Sequence, residues 1–333
     1  MERLTRHSFS LFTLGYLATI IAISWYAGTI WSPTVTYFLM VTALLGSLGL
    51  GIPWMRPWLA LVMAGLSFQV ISAPIDELGY SGGALSLFGL DKDVWGFNLT
   101  GWAQNAFSSM VVTEVASLVY AALIPFVLVT SLAIWRFQRG NFGRFATAVV
   151  LTSYGALLTF VLMPTSPPWF GGVASDLFRA SGLNALSGVF APLSTLVAPD
   201  YFAAFPSLHA AYTITCCYFL SKISYRLGLL GSVVAGATLF STLYLGQHYA
   251  IDLVGGAVYS LIPCWAAGRW VQGAESLQPR KVPLGEEPFR VPREEGGFLD
   301  VFDAQKISRE ALDAERIAAV RGDPVTERCS EPF

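Results

Sequence analysis

The chain has 333 residues, of which 54% are hydrophobic and only 13% are charged, and its formal net charge is −2. Soluble domains carry about a quarter charged residues. This composition, with a mean hydropathy of +0.56, therefore excludes a soluble enzyme, a secreted disulfide scaffold and a disordered chain. No basic stripe is available to neutralise phosphates, so no nucleic-acid partner is expected.

Charge is concentrated at the C-terminal end of the chain. Residues 271–333 contain 22 charged side chains in 63 positions, whereas residues 1–270 contain 20. A bilayer can hide so long an apolar stretch, but a globular core cannot. The pattern predicts an all-α, polytopic membrane protein with a charged, partly disordered C-terminal tail.

Eight apolar stretches approach or reach the length of a membrane-spanning helix, which is about 20 residues. The first follows Arg3 and Arg6, as in a signal peptide, but it is long enough to span and no cleavage site follows it. It is therefore predicted to remain as a membrane helix. The predicted spans lie near residues 10–31, 34–52, 57–75, 111–135, 145–163, 207–221, 227–246 and 248–268.

The basic residues between these stretches test the predicted number of spans independently, because cytoplasmic loops are enriched in Lys and Arg. With the N-terminus inside, nine basic residues fall on the cytoplasmic side, and only Lys92 and Arg179 fall outside. Both termini are therefore predicted to be cytoplasmic. The long outer segments 76–110 and 164–206 contain interfacial aromatic residues and are expected to lie along the outer membrane surface.

Two of the three histidines are predicted at the outer ends of helices, whereas His7 lies in the cytoplasmic N-terminal segment. His248 and Asp252 are four residues apart, which places them on one face of a helix. A carboxylate beside an imidazole selects its tautomer and stabilises the imidazolium. On this motif alone, a structural His–Asp bond between helices is an equally good interpretation.

The second histidine belongs to Pro206-Ser-Leu-His209, which is typical of a helix start with Ser207 as the N-cap. His209 is then expected in the first turn, where free backbone N–H groups and the helix dipole attract anions such as phosphate. A purely structural role is the alternative for this histidine taken alone. Gly255 and Gly256 are predicted to permit close helix packing nearby.

The order Pro206-Ser-Leu-His209 followed by His248-Tyr-Ala-Ile-Asp252 resembles the middle and last signatures of the type 2 phosphatidic acid phosphatase superfamily. Pro164-Thr-Ser-Pro-Pro-Trp169 is similar to the inositol phosphorylceramide synthase branch. The resemblance implies a six-helix core with its site at the non-cytoplasmic face. It also implies that His248 is the nucleophile on phosphorus, Asp252 orients it, and His209 protonates the leaving alcohol.

The chain departs from the phosphatases of that superfamily in its basic residues. Their early Lys/Arg signature is missing, and Thr242 stands where they have an Arg six residues before the last histidine. A phosphomonoester carries a charge near −2 at neutral pH and a diester about −1, so a site short of Arg suits a diester better. We interpret the chain as a phosphotransferase that moves an inositol-phosphate-like head group between lipids.

Two other functions stay open at this stage. A lipid or polyprenyl (pyro)phosphate phosphatase would use the same triad with water as acceptor, and a non-catalytic membrane scaffold or transporter would use it to tie helices together. No cofactor is expected, and no metal, because the spacing of the triad matches no standard zinc motif. The candidate residues for binding phosphate or substrate are Ser207, Arg179, Lys92, Ser166 and Trp169.

The predicted organisation has three parts: an N-terminal helix pair (1–56), a six-helix catalytic core (57–270) and the cytoplasmic tail (271–333). The expected partners are a lipid phosphate-ester donor, a lipid or alcohol acceptor and the bilayer itself. A multi-pass bacterial plasma membrane is the favoured location, with an extracytoplasmic active site; a eukaryotic source would favour a Golgi-type membrane. The sequence indicates no oligomeric state.

Overall fold

The computed structural model of the chain describes residues 2–31, 33–78, 84–182, 202–276, 291–292 and 298–299. The chain divides into two compact units, Met1–Ser276 and Leu277–Phe333. In the second unit, Val291–Pro292 pairs antiparallel with Phe298–Leu299. The rest of the predicted tail beyond Ser276 lies outside the described residues, and the three-part division of the chain stays a prediction.

The described part of the first unit is built almost entirely from helices, which confirms the predicted all-α class. Two short 3-10 helices, Thr29–Trp31 and Pro53–Met55, lie between the first α-helices. The α-helices in chain order are α1 (Glu2–Tyr26), α2 (Pro33–Gly51), α3 (Arg56–Leu78), α4 (Phe88–Trp95), α5 (Leu99–Ala106), α6 (Met110–Ala121), α7 (Leu123–Phe137), α8 (Arg139–Leu162), α9 (Leu177–Ala180), α10 (Leu208–Ile223), α11 (Tyr225–Tyr244) and α12 (Ala250–Ser276).

Each of the eight predicted spans falls on one of these helices, or on the consecutive pair α6 and α7 for the fourth span. Among the described residues, four segments are long and apolar enough to cross a bilayer by themselves, and the pair α6–α7 makes a fifth if it is one bent span. Those segments are Phe9–Tyr26, Arg139–Leu162, Tyr225–Tyr244 and Ala250–Ala267. The protein is thus a multi-pass helical membrane protein, and the number eight stays a prediction.

The bend between α6 and α7 has a local cause. The two helices meet at 47° around Ala122. Pro125 lies in the first turn of α7, where its ring excludes the carbonyl of the residue four positions earlier and its nitrogen donates no hydrogen bond. The chain therefore breaks its helix at Ala122 and starts a new one.

The core of the first unit forms where α10 packs against α7, α8, α11 and α12. Large buried side chains fill this space, including Phe145 on α8 and Phe219 on α10, whose rings meet edge to face at 5.4 Å. The N-terminal pair α1 and α2 packs on α3 through a separate apolar cluster containing Ile20, Val35 and Leu66. The helices that carry His209 and Asp252 therefore belong to the most closely packed part of the protein.

Hydrogen bonds between side chains join α1 to the remaining helices. The Ser67 hydroxyl on α3 lies 2.9 Å from the Tyr16 hydroxyl of α1 and 3.0 Å from the Tyr154 hydroxyl of α8. The Tyr16 hydroxyl also donates to the Met63 carbonyl at 2.6 Å. Such bonds stabilise helix association in an apolar solvent, where the hydrophobic effect between helices is weak.

The glycine pair on α12 allows close approach to α10, which confirms the sequence prediction. A Cβ atom on Gly256 would meet the Ser207 carbonyl oxygen and would lie 2.8 Å from the Ala210 methyl carbon. A Cβ atom on Gly255 would press against the ring of Phe205. Glycine at these two positions therefore sets the distance between the helices that carry Asp252 and His209.

We expect Gly256→Ala to lower the free energy of unfolding by about 1–3 kcal/mol, because the added methyl group forces α12 away from α10. Thermal unfolding of the purified protein in detergent measures this effect. Gly236→Ala is the matched control, because a Cβ atom at Gly236 on α11 meets nothing within 4 Å. Equal melting temperatures for the two variants would contradict the prediction.

Short strands bring the two outer segments together. Leu85–Ser86 (β1) pairs in parallel with Thr165–Ser166 (β2), and Thr165 also bridges to Ala203. The outer segments also contain the short helices α4, α5 and α9. Their aromatic side chains include several that are about half exposed, such as Trp102 and Phe97. Their position at the membrane surface stays a prediction.

Candidate active site

His248 and Asp252 form the centre of the candidate site. The Nδ1 atom of His248 lies 3.0 Å from the Ala204 carbonyl oxygen and 3.6 Å from Oδ2 of Asp252. Both neighbours are hydrogen-bond acceptors, so Nδ1 carries the proton of the neutral imidazole. Nε2 then keeps its lone pair.

The pair is held by a turn and not by a regular helix, which corrects the predicted start of the last span at residue 248. Helix α12 begins at Ala250, so His248 lies in the preceding turn. Oδ2 of Asp252 accepts the N–H of Tyr249 at 2.8 Å, and the Asp252 N–H donates to the Tyr249 carbonyl at 3.1 Å. Because the carboxylate folds back onto this turn, the imidazole and Asp252 still meet.

His209 approaches the pair from α10. Its ring centroid lies 5.8 Å from that of His248. Its other face stacks on Tyr120 of α6, with centroids 4.1 Å apart and planes inclined by 18°. Tyr120 is buried and therefore restricts the imidazole to one orientation. The structure thus brings the two histidines and Asp252 together from the starts of α10 and α12.

Ser207 is the N-cap of α10, which confirms the sequence prediction. Its Oγ accepts the N–H of Ala210 at 3.3 Å, and its own N–H donates to the Asp252 carbonyl at 3.0 Å. Ser207 is completely buried. Its backbone therefore links the start of α10 directly to the start of α12, and its role as a phosphate ligand stays a prediction.

A network of side chains covers the loop that precedes His248. The indole N–H of Trp169 donates to Oε1 of Gln247 at 3.1 Å, and Nε2 of Gln247 donates to Oδ1 of Asp176 at 3.0 Å. Arg179 lies 3.4 Å from the other Asp176 oxygen, and its guanidinium sits over the Trp169 ring at 5.2 Å. These contacts thus hold the segment around residues 167–182 against the loop that precedes His248.

Gly246 allows the close contact between the loop before His248 and the segment around residues 167–182. Its φ of +78° is favourable only for glycine, and a Cβ atom there would lie 2.6 Å from the Ser175 carbonyl oxygen. The Gly246 carbonyl accepts the backbone N–H of Trp169 at 3.2 Å. The turn before His248 therefore lies directly against the backbone of the covering segment.

The remaining predicted substrate-binding residues occupy different environments. Ser166 is buried in β2, with its Oγ 3.4 Å from the Leu85 carbonyl oxygen. Lys92 is exposed on α4, and Arg179 is half exposed beside Asp176. Trp169 contacts the site through Gln247, the neighbour of His248. Their roles in binding substrate stay predictions.

Several residues around the triad were not selected from the sequence. Tyr120, Gln247 and Asp176 lack a motif, and only their contacts with residues far along the chain give them a role. Asp91 belongs to the outer segment 76–110 and likewise lacks a motif. Within the described part of the chain, no group of three or more His, Cys, Asp or Glu side chains is arranged to hold a metal ion.

The chemical capacity of the site follows from these contacts. Asp252 is fully buried, and within the described residues its Oδ1 atom has no hydrogen-bond partner. A buried carboxylate beside an imidazole stabilises positive charge on that ring. A second imidazole nearby can exchange a proton with a leaving or entering group. The arrangement suits displacement at an ester by a base or nucleophile with a separate acid.

These features define a multi-pass helical membrane protein with two imidazoles and one carboxylate gathered where two helices begin. The chain belongs to the PAP2 superfamily, because the model of that family matches residues 85–266, more than half of the chain. The resemblance noted in the motifs is thereby confirmed. The matched region begins at β1 and includes all three residues of the triad.

The chain is similar to enzymes of inositol sphingolipid synthesis. It is 25% identical over 205 residues to the phosphoinositol dihydroceramide synthase of Bacteroides thetaiotaomicron, covering 57% of this chain and 66% of that protein. It is 32% identical over 122 residues to the inositol phosphorylceramide synthase catalytic subunit of Schizosaccharomyces pombe, covering 33% and 28% of the two chains. For the inositol phosphorylceramide synthase of Candida albicans, the identity is 28% over 116 residues, covering 32% and 25%.

The alignments therefore span from a quarter to just under two thirds of the length of these relatives. No solved structure matches the chain.

Proposed function

We propose that this protein is a membrane phosphotransferase that moves a phosphoalcohol head group from a phospholipid to a lipid alcohol. The similarity to phosphoinositol dihydroceramide synthase and inositol phosphorylceramide synthase supports inositol phosphate as the head group and a ceramide-type lipid as the acceptor. Membership of the PAP2 superfamily supports chemistry on a lipid phosphate ester. The proposed donor is accordingly a phosphatidylinositol-type diester.

The observation that carries the proposal is the contact of His248 Nδ1 with the Ala204 carbonyl oxygen at 3.0 Å. With its Nδ1 proton directed at Ala204 and Asp252, its Nε2 atom is free to act on phosphorus. In the covalent route, Nε2 bonds to phosphorus while the bond to the donor alcohol breaks. In the general-base route, Nε2 removes the proton of the acceptor hydroxyl, whose oxygen then attacks phosphorus.

His209 is the proposed acid in both routes. Its ring lies 5.8 Å from that of His248, centroid to centroid, so that one phosphate group can be within reach of both imidazoles. In the protonated form it gives a proton to the departing alcohol oxygen. In the covalent route, the acceptor hydroxyl then attacks the phosphohistidine, and its proton returns to His209.

A diester substrate agrees with the neutral lining beside His248. Thr242 is fully buried where phosphatases of the superfamily have an arginine, and its carbonyl accepts the N–H groups of Gln247 and His248. It therefore supports the turn and supplies no cation. A substrate with about one negative charge needs fewer cations than a phosphomonoester with nearly two.

We propose that the site faces the extracytoplasmic side. His209 is at the start of α10 and Lys222 is in its last turn. A rise of about 1.5 Å per residue separates these positions by about 20 Å. Because Lys222 belongs to the predicted cytoplasmic set of basic residues, His209 is placed near the opposite membrane surface.

Head-group transfer in reconstituted vesicles tests the proposal. We expect the purified protein to convert phosphatidylinositol and ceramide into inositol phosphorylceramide and diacylglycerol, as followed by mass spectrometry. Vesicles without ceramide are the control, and they are expected to yield no free inositol phosphate above background. Diacylglycerol with isotopically labelled acyl chains is a second acceptor to be tested in place of ceramide, and transfer to it would produce labelled phosphatidylinositol.

Release of inorganic phosphate from phosphatidic acid without any acceptor would instead assign the protein as a lipid phosphatase. Folded protein that acts on neither substrate would favour the scaffold. These outcomes are distinct because a transferase yields inositol phosphorylceramide, a phosphatase yields inorganic phosphate, and a scaffold yields neither.

A further inference from the structure

A second buried carboxylate reaches the start of α12 from an outer segment. Asp91 on α4 is only 1% exposed, and its Oδ1 atom accepts the N–H of Ile251 at 2.8 Å. The backbone of Ala250 and the indole of Trp95 also hydrogen-bond its carboxylate. The contact spans 160 positions of sequence and ends one residue before Asp252.

The contact supplies a hydrogen-bond acceptor to backbone N–H groups in the first turn of α12. The first N–H groups of a helix have no partner within it, and a carboxylate is stabilised there by both hydrogen bonds and the helix dipole. Asp252 binds the N–H of Tyr249, whereas Asp91 binds the N–H groups of the next two residues. The turn that carries His248 is therefore held from two sides by two carboxylates.

Burial of Asp91 has an electrostatic cost. Removal from water raises the pKa of its carboxyl group, and the hydrogen bonds from Ile251, Trp95 and Ala250 offset only part of that rise. On the same short helix, Asp93 is exposed. The orientation of α4 thus places one of its two aspartates against α12 and leaves the other at the surface.

We propose that Asp91 is a positioning residue for the reaction, holding the first turn of α12 so that His248 and Asp252 meet in the productive geometry. This inference rests on the proposed function for its kinetic consequence. A displacement of about 1 Å in a reacting group can reduce a rate by about 100-fold. Hydrogen bonds that fix the start of α12 are therefore expected to affect the reaction rate directly. Asp91 does not itself need to touch the substrate.

Amide hydrogen exchange tests the tie without any substrate. In Asp91→Ala, the amides of residues 250–252 are expected to exchange about tenfold faster or more than in the wild-type protein. Asp91→Asn keeps one acceptor oxygen in nearly the same volume, and its exchange is expected to be intermediate. Asp93→Ala is the matched control and should leave these amides unchanged.

Kinetics separate positioning from a general loss of structure. We expect kcat of Asp91→Ala to fall by about 10- to 100-fold with KM within about twofold, and Asn at this position to restore part of the loss. The Asp93→Ala variant should keep both constants within about twofold. If Asp91→Ala does not fold, the Asn variant alone carries the comparison, and its kcat is expected to fall by about threefold or more.

Unchanged exchange at residues 250–252 in folded Asp91→Ala or, if that variant does not fold, in Asp91→Asn would overturn the inference, whatever the substrate is. An Asp91 variant that alters KM alone, or leaves kcat within twofold, would overturn it as well. Wild-type protein that transfers no head group would overturn the proposed function but not the tie between Asp91 and α12. The two failures are therefore distinguishable.

Discussion

Replacement of His248 by alanine is expected to reduce head-group transfer by about 10³-fold or more. General acid–base or nucleophilic catalysis by a positioned side chain contributes about 10²–10⁴-fold, and the variant removes the atom that would perform it. The His248 side chain is buried, and its Nδ1 atom contacts the Ala204 carbonyl oxygen, so the imidazole is held in one position that the alanine variant leaves empty. Initial rates in vesicles measure the effect.

His7→Ala makes the same chemical change at the only other histidine outside the triad. We expect it to retain the wild-type rate. Circular dichroism and size-exclusion chromatography establish that both variants are folded. A folded His248→Ala protein whose rate stays within tenfold of wild type would exclude His248 as the reacting group and would leave the triad as a structural tie.

Asp252→Asn is expected to reduce the rate by about 10²–10³-fold with little change in molecular volume. The amide oxygen can occupy the Oδ2 position, which the Tyr249 N–H and His248 Nδ1 both face, but the amide NH2 group is then buried at the Oδ1 position, which has no hydrogen-bond partner among the described residues. The substitution also removes the negative charge that stabilises an imidazolium in a buried site. An imidazolium formed in the reaction then has a neutral amide beside it in place of a carboxylate.

The double variant His248→Ala/Asp252→Asn gives the sharper measurement. If Asp252 acts through His248, the double variant should be no slower than His248→Ala alone, because residues that act as a unit are not additive. Asp93→Asn, on the exposed face of α4, controls for loss of a carboxylate. Additive losses in the double variant would show that Asp252 has a separate role and would contradict the proposed pairing.

The motifs identified from the sequence meet in space because each lies where a helix begins. Ser207 ends an extended segment and caps α10, which places His209 in the first turn as predicted. The His248 motif was predicted within a helix, but the Asp252 side chain bends back to the Tyr249 N–H and delays the helix start to Ala250. The short-range pattern thus identified the residues but not the turn that joins them.

The residues that support the triad could not be predicted in the same way. Tyr120 contacts His209 across 89 positions of sequence, and Asp91 contacts Ile251 across 160. A single tyrosine in an apolar helix, or one aspartate among several in a surface segment, produces no periodic signal. Their roles depend on which helices become neighbours, and only the packing of α6, α10 and α12 determines that.

Composition and hydropathy by themselves determined that this chain is a helical membrane protein, because in a bilayer the backbone must satisfy its own hydrogen bonds within each apolar stretch. The His209 and His248 motifs by themselves determined the family. Only the tertiary structure decided how the imidazoles face each other and which carboxylates hold them. Those contacts join residues far apart in the chain, and their geometry depends on helix packing distances such as the one that Gly256 permits.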